Sequence, residues 1–257
     1  MELLSSEDYW KMIKIEKLKK SYGDFVAVDT ISFSVKDGEV CSFLGVNGAG
    51  KTTTLKILAG VLKPTAGTVE ICGIDISVDP RAAKRAIGYI PDRPHLHAKL
   101  TGREFLYFVS DLYDLSNEIA ENRIDALLTE YRLRAWEDKL IESYSHGMKQ
   151  RLATCAALLH EPRVLIVDEP MVGLDPHGAK LMKQLFRSYA KRGMSILVST
   201  HSLNIAEEIS DHIVIISRGQ IIADGTLPEI KEREAAQDSN LEEIFLQLTL
   251  ESDSQYS

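Results

Sequence analysis

Gly45-Val46-Asn47-Gly48-Ala49-Gly50-Lys51-Thr52 decides how this chain folds. The octet fits the pattern G-x-x-x-x-G-K-[ST] and follows the apolar run Val40 to Leu44. Beyond it, Leu55, Leu58, Ala59 and Leu62 recur at three- and four-residue spacing, so strand, glycine loop and helix come in that order. Glycines let successive backbone N–H groups turn toward one concave point, and the N-terminus of the following helix adds partial positive charge there. Phosphate is the ligand that fits. Lys51 is placed to reach the β- and γ-phosphates of a nucleotide and the Thr52 hydroxyl to bind Mg²⁺, with Asn47, Gly48, Ala49, Gly50 and Thr53 completing the cradle.

A phosphate loop needs a second acid for the metal and a base to orient the attacking water. Val164-Leu165-Ile166-Val167-Asp168-Glu169 offers both at the end of an apolar strand: Asp168 to hold Mg²⁺ through water, Glu169 as general base. Alone, such a segment is an ordinary strand ending in a solvated acidic turn; the glycine loop gives it chemical meaning.

Outward from these two motifs the chain reads as layered α/β. Ile31, Phe33 and Val35 alternate with polar residues ahead of Asp37-Gly38, so a tight hairpin to Val40–Leu44 is expected. Short strands follow at Val69 to Cys72 and Ile87 to Ile90, the latter stopped by Pro91-Asp92-Arg93-Pro94. Thr101 to His160 is helical. It opens with a capping box from Thr101 to Glu104, then Phe105, Phe108, Val109 and Leu112 line one face. Ile124, Leu127, Leu128 and Tyr131 do so in a second helix, and Leu152, Cys155, Ala156 and Leu159 in a third. Val164–Val167 and Ile196–Val198 are apolar enough for buried parallel strands. Near the end, Ser239 with Glu242 makes a second capping box ahead of the stripe Leu241, Ile244, Phe245 and Leu248, before a polar terminus from Glu251 to Ser257.

The 257 residues carry 30 Lys plus Arg against 38 Asp plus Glu, a net charge of -8, and 44% are hydrophobic. That is an ordinary globular composition with a sizeable core, and the acidic balance argues against nucleic acid as a partner. No apolar run approaches the ~20 residues a membrane helix needs, and Met1 to Trp10 lacks the apolar segment of a signal peptide. Cys41, Cys72 and Cys155 are far apart in apolar stretches, as expected of buried thiols.

Tyr144-Ser145-His146-Gly147-Met148-Lys149-Gln150-Arg151-Leu152 then narrows the class. It resembles the Leu-Ser-Gly-Gly-Gln signature of the ATP-binding cassette ATPases, the nucleotide-binding subunits of ABC transporters, and the resemblance runs from Met12 to about Gly225. It implies a RecA-like P-loop NTPase core sheet with an antiparallel β subdomain and an inserted helical subdomain. The cassette would span 12–228, the helical insertion 92–160 and a C-terminal helical tail 229–257. The signature's physics is a second anion site, Ser145 and the Gly147 N–H at a helix start. The family closes it on the γ-phosphate held by a partner subunit, so two ATPs lie in a head-to-tail dimer.

Other family elements fall in order. Tyr22 matches the aromatic that stacks on adenine; a lone Tyr would otherwise be a half-buried core residue. Gly173-Leu174-Asp175-Pro176 resembles the loop whose Asp couples the two sites, and His201 the switch histidine that bonds the γ-phosphate beside Glu169. Two departures stand out. Asp92 occupies the place of a Mg²⁺-sensing glutamine; it is shorter by a methylene and acceptor-only, so its metal contact is expected to run through water. His146 and Met148 replace the usual Gly and Gln, which leaves the Ser hydroxyl, backbone N–H and helix dipole in place.

The resemblance implies an Mg-dependent ATPase subunit powering movement, in the export direction, through a separate multi-span permease. It would sit peripherally on the cytoplasmic face of the membrane, docked by the helical insertion and the groove near Asp92. The alternative is a soluble cassette ATPase acting on ribosome or DNA; such proteins carry tandem cassettes or a long coiled-coil insertion. A P-loop kinase or GTPase needs neither the Ser145 to Gln150 segment nor His201. The tail stripe is expected to pack on its own domain, with a regulatory or dimer contact as the alternative.

Overall fold

The computed structural model describes residues 11–234 and 239–254. Residues 1–10, where the sequence offers no apolar signal segment, together with 235–238 and 255–257, lie outside the described residues.

Long strands alternating apolar and polar residues build a first, antiparallel sheet. β1 (Lys11–Tyr22) pairs with β2 (Phe25–Lys36) and, on its other side, with β4 (Ala66–Ile71), which pairs with β5 (Ile74–Asp75). The short strands built around apolar runs go elsewhere. β3 (Val40–Leu44), β6 (Ile87–Ile90), β7 (Val164–Asp168), β8 (Ser195–Thr200), β9 (His212–Ser217) and β10 (Gln220–Gly225) form a six-stranded sheet of order β10-β9-β3-β8-β7-β6. All its neighbours are parallel except β10 against β9.

The hairpin expected at Asp37-Gly38 is not there. β2 stays in the antiparallel sheet, and the turn carries the chain across to β3, which pairs in parallel with β8 and β9. Burial explains the difference: all five residues of β3 are buried, which demands cover on both faces, and an edge place beside β2 would supply one. The tight hairpin lies one strand earlier, where Tyr22 pairs with Phe25 and Gly23 turns the chain at φ +59.

Alternate residues of the central strands feed different cores. Val164 and Ile166 of β7 join Cys41 and Phe43 against the antiparallel sheet and α1 (Lys51–Leu58), and Phe43 stacks on Phe33 with centroids 5.3 Å apart. Leu165 and Val167 face the other way, toward α3 (Gly102–Leu112), α4 (Asn117–Glu130) and α5 (His146–Leu158), with α6 (Pro176–Lys191) completing that side. The short α2 (Pro80–Arg85) precedes β6.

The Thr101–Glu104 capping box forms with both of its hydrogen bonds, 2.8 and 3.2 Å. The face of α3 differs from the expected one: Phe105 and Leu106 are buried, while Phe108 and Leu112 are exposed, because the helix packs through the 105–106–109 arc into the core it shares with α4 and α5 rather than through a 105–108–112 stripe. Ile124, Leu127, Leu128 and Tyr131 are buried as expected, as are Leu152, Cys155 and Leu159. Cys72 departs from the buried-thiol reading; it is half-buried at the β4–β5 turn with φ +51, while Cys41 and Cys155 are fully buried.

After α7 (Leu203–Ile209) and α8 (Leu227–Arg233), α9 (Leu241–Ser254) lays Leu241, Ile244 and Leu248 onto β9, β10 and Ala206 of α7. Its cap is one residue later than expected: Asn240 Oδ1 accepts from the Glu243 N–H at 2.9 Å, and Glu243 accepts from the Asn240 N–H at 3.3 Å. Asn and Ser are equivalent caps, and the shift puts Leu241 at the first helical position facing the core. No helix among the described residues is long and apolar enough to cross a membrane.

Candidate functional site

Parallel pairing brings three strand ends to one edge. Leu44 pairs with Thr200 and Asp168 with Ser199, so the segments leaving β3, β7 and β8 open side by side at the carboxyl edge of the sheet, where α/β sheets bind ligands. An open cleft of about 450 Å³ lies there. It gathers the expected Asn47, Gly48, Gly50, Lys51, Thr52 and Thr53 from the loop and α1, with Tyr22, Asp92, Asp168, Glu169 and His201 around them.

The loop's shape is dictated by its glycines. Gly50 caps α1 at φ +110, and a Cβ there would stand 2.6 Å from the Ala27 carbonyl oxygen; only glycine fits. Ala49, also in the expected set, is buried and faces the core rather than the cleft. Lys51 is 7% exposed, and its ammonium donates to the carbonyls of Gly45 at 2.7 Å and Val46 at 3.2 Å. Burial lowers its pKa, opposed by the nearby charges of Glu169 and Asp168.

Across the loop, the Ser199 hydroxyl donates a short hydrogen bond to Asp168 Oδ1, while Asp168 Oδ2 is buried with no hydrogen-bond partner. A buried carboxylate oxygen without a partner is costly, and in a cleft shared with the Thr52 hydroxyl it has the donor chemistry of a hard divalent cation site. The residues present therefore fit Mg²⁺. Glu169 follows directly, held at φ +51, a left-handed backbone uncommon outside glycine, and its Oε1 lies 2.9 Å from His201 Nδ1. Asp92 is half-exposed on the rim, 3.9 Å from its neighbour Arg93.

Ser145, Gly147 and Asp175 are not part of this cleft. They line a second one of about 360 Å³ with Arg132, His146, Arg151 and His177. Two helix starts converge there: the Ser145 hydroxyl accepts from the Met148 N–H at 3.3 Å, capping α5, and Asp175 Oδ1 accepts from the Gly178 N–H at 2.6 Å, capping α6. Cationic lining and helix N-termini suit an anion.

The sequence did not single out Phe25, Val172 or Ser199. Phe25, 65% exposed, sits opposite the 49% exposed Tyr22 across the hairpin and gives the nucleotide cleft a second aromatic wall. The signal available was the pair of aromatics flanking Gly23-Asp24.

A glycine loop between β3 and α1, facing an acid pair at the end of a parallel β7, defines a P-loop nucleoside triphosphatase. The chain belongs to the ABC transporter family, as an ATP-binding subunit that hydrolyses ATP: its residues 28–172 match the family's model, described as ABC transporter. It is 42% identical over 223 residues to the ABC transporter ATP-binding protein YxlF of Bacillus subtilis (strain 168), covering 87% of this chain and 74% of that one. It is 40% identical over 223 residues to the bacitracin transport ATP-binding protein BcrA of Bacillus licheniformis, covering 86% and 72%. A solved ATP-binding subunit of an ABC transporter superposes with a TM-score of 0.88 over 93% of this chain and 99% of the other, at 34% identity.

Proposed function

We propose that this subunit works as one half of a head-to-tail pair on the cytoplasmic face of a membrane, driving export through a separate multi-span permease. One observation carries the reading: Ser145, Gly147 and Asp175 line a cleft that contains neither Lys51 nor Glu169. One chain therefore cannot grip a single nucleotide with both sets. A second copy, turned to face the first, supplies the cationic cleft to the γ-phosphate held by the loop.

Within the nucleotide cleft, Tyr22 stacks on adenine, Asn47 to Thr53 hold the phosphates, and Lys51 turns from the loop carbonyls to the β- and γ-phosphates. Thr52 and Asp168 would hold Mg²⁺, with Asp92 reaching it through water; when bound, the ion would supply positive charge beside the phosphates. Glu169 takes the proton of the attacking water, and His201 bonds the γ-phosphate while fixing the Glu169 carboxylate. The unpartnered oxygen of Asp168 and the 2.9 Å Glu169–His201 contact support these roles.

Docking onto the permease uses the groove beneath the helical insertion. About 470 Å³ in volume, it is lined by Pro91, Pro94, Leu96, Phe105 and Val109, and the exposed Phe108 and Leu112 stand on the same helix as its wall. We place the cassette at 12–228, the insertion at 92–160 and the tail at 229–257. The likeness to a Nod factor export ATP-binding protein, 39% identical over 222 residues, supports the export direction. With a net charge of -8, attachment comes from protein docking rather than anionic lipid, and nucleic acid is not a partner.

Tagged protein purified from detergent-solubilised membranes tests the reading. A multi-span membrane protein recovered at about one to two cassettes, and lost with Leu112→Glu, is the expected result. Recovery only with ribosomes or DNA would overturn it.

A further inference from the structure

His146 stands where the cassette signature ordinarily has glycine, and its imidazole reaches across 26 positions of sequence: Nε2 lies 3.2 Å from the Val172 carbonyl oxygen. Because a carbonyl can only accept, the proton sits on Nε2. The fit is reciprocal. Gly173 has φ +75, and a Cβ on it would stand 2.4 Å from His146 Cδ2 and 2.8 Å from Nε2, so the imidazole occupies the space that a bare glycine leaves.

The bonded carbonyl belongs to a residue that matters for the other cleft. Val172 lines the nucleotide cleft, whereas His146 lines the cationic one. The Val172 N–H donates to the Glu169 carbonyl at 3.3 Å, and Glu169 in turn contacts His201 at 2.9 Å. Its left-handed backbone makes the orientation of the Glu169 carboxylate sensitive to where that short turn is held. A continuous line of contacts thus runs from the signature turn to the base within one chain: His146, Val172, Glu169, His201.

We propose that His146 is a positioning residue for ATP hydrolysis, stapling the signature turn to the Val172–Gly173 turn so that the ordering of one cleft fixes the Glu169 carboxylate in the other. The inference rests on the paired reading of the two clefts. Grip on the partner's γ-phosphate orders Ser145 to Gly147; through His146 the same event orders the segment that aims Glu169 in the gripping chain. The Gly147 N–H and the Ser145 hydroxyl, which bind in the paired reading, are left untouched when the imidazole is removed.

The test uses the full chain. His146→Ala should lower kcat about fivefold, the rate equivalent of one hydrogen bond's net worth, with KM for ATP unchanged. His146→Gln, whose amide nitrogen has about the reach of Nε2, should restore it. In a Glu169→Gln background, ATP should still assemble dimers of the His146→Ala protein by size-exclusion chromatography, which separates positioning from a direct grip on nucleotide. Wild-type kcat in His146→Ala, or failure of His146→Gln to rescue, would overturn the positioning role while dimers in the Glu169→Gln parent uphold the paired reading. Loss of the dimer only on adding His146→Ala would assign His146 to the nucleotide instead. A Glu169→Gln parent that stays monomeric with ATP would remove the paired reading and this inference together.

Discussion

Asp168 and Ser199 are bonded across the pairing of β7 and β8, the hydroxyl donating to Oδ1, while Asp168 Oδ2 remains buried without a partner. The sheet thereby fixes the carboxylate's orientation and leaves one oxygen aimed at nothing in the protein. A divalent cation would satisfy it, as the proposed Mg²⁺ site requires. Asp168→Asn would place an amide there, which cannot offer a second anionic oxygen. Wild-type protein should bind ATP more tightly with Mg²⁺ than with EDTA; in Asp168→Asn the two affinities should coincide, as read by nucleotide titration. A persisting Mg²⁺ effect would remove Asp168 from the metal site.

The loop's two inner glycines separate backbone strain from steric room. Gly48 has φ +84 with open space around a would-be Cβ, whereas Gly50 has φ +110 and the Ala27 carbonyl 2.6 Å away. Gly48→Ala should therefore cost only the left-handed backbone, about 1 kcal/mol. Gly50→Ala adds a collision with main chain, and about 3 kcal/mol or more is expected in urea unfolding. Equal losses would contradict the packing described.

Two histidines give stability opposite pH limbs. His212 Nε2 lies 2.6 Å from Asp224 Oδ1 and its Nδ1 3.7 Å from Glu39 Oε2. Burial works against its charge, but the two carboxylates outweigh burial and raise its pKa from 6.5 to about 9. His160 is pushed down from 6.5 to about 4, chiefly by burial, despite its contact with the Ile87 carbonyl. The raised group stabilises fully below about 6.5, and that contribution is lost as pH climbs through about 9. The lowered group stabilises above about 6.5 and loses its contribution as pH falls through about 4. Tm should peak near pH 6.5, and His212→Gln should flatten the alkaline limb alone, as followed by thermal melts.

Much of this was legible because it is local. A glycine loop between an apolar strand and a helix carries its own geometry, and apolar runs such as Val164–Val167 announce burial on both faces. What escaped is what distant pairing decides. Asp37-Gly38 has the chemistry of a hairpin turn, yet whether the next strand joins the same sheet depends on β8 and β9, more than 150 residues later. Phe25 enters the cleft only through its register with Tyr22, and Ser199 finds Asp168 only through parallel pairing. The face of α3 escaped because a helical stripe of four apolar residues says nothing of which of them the neighbouring α4 and α5 cover.

In the proposed function Glu169, aimed by His201, is the base for hydrolysis in a cleft whose loop binds ATP independently of it. Single-turnover ATP hydrolysis by Glu169→Gln, with bound ATP quantified in the same samples, tests it most directly. Binding should match the wild type while the rate falls by about 10²–10⁴, the range that general-base catalysis supplies. A Glu169→Gln protein that hydrolyses its bound ATP at the wild-type rate would contradict the claim.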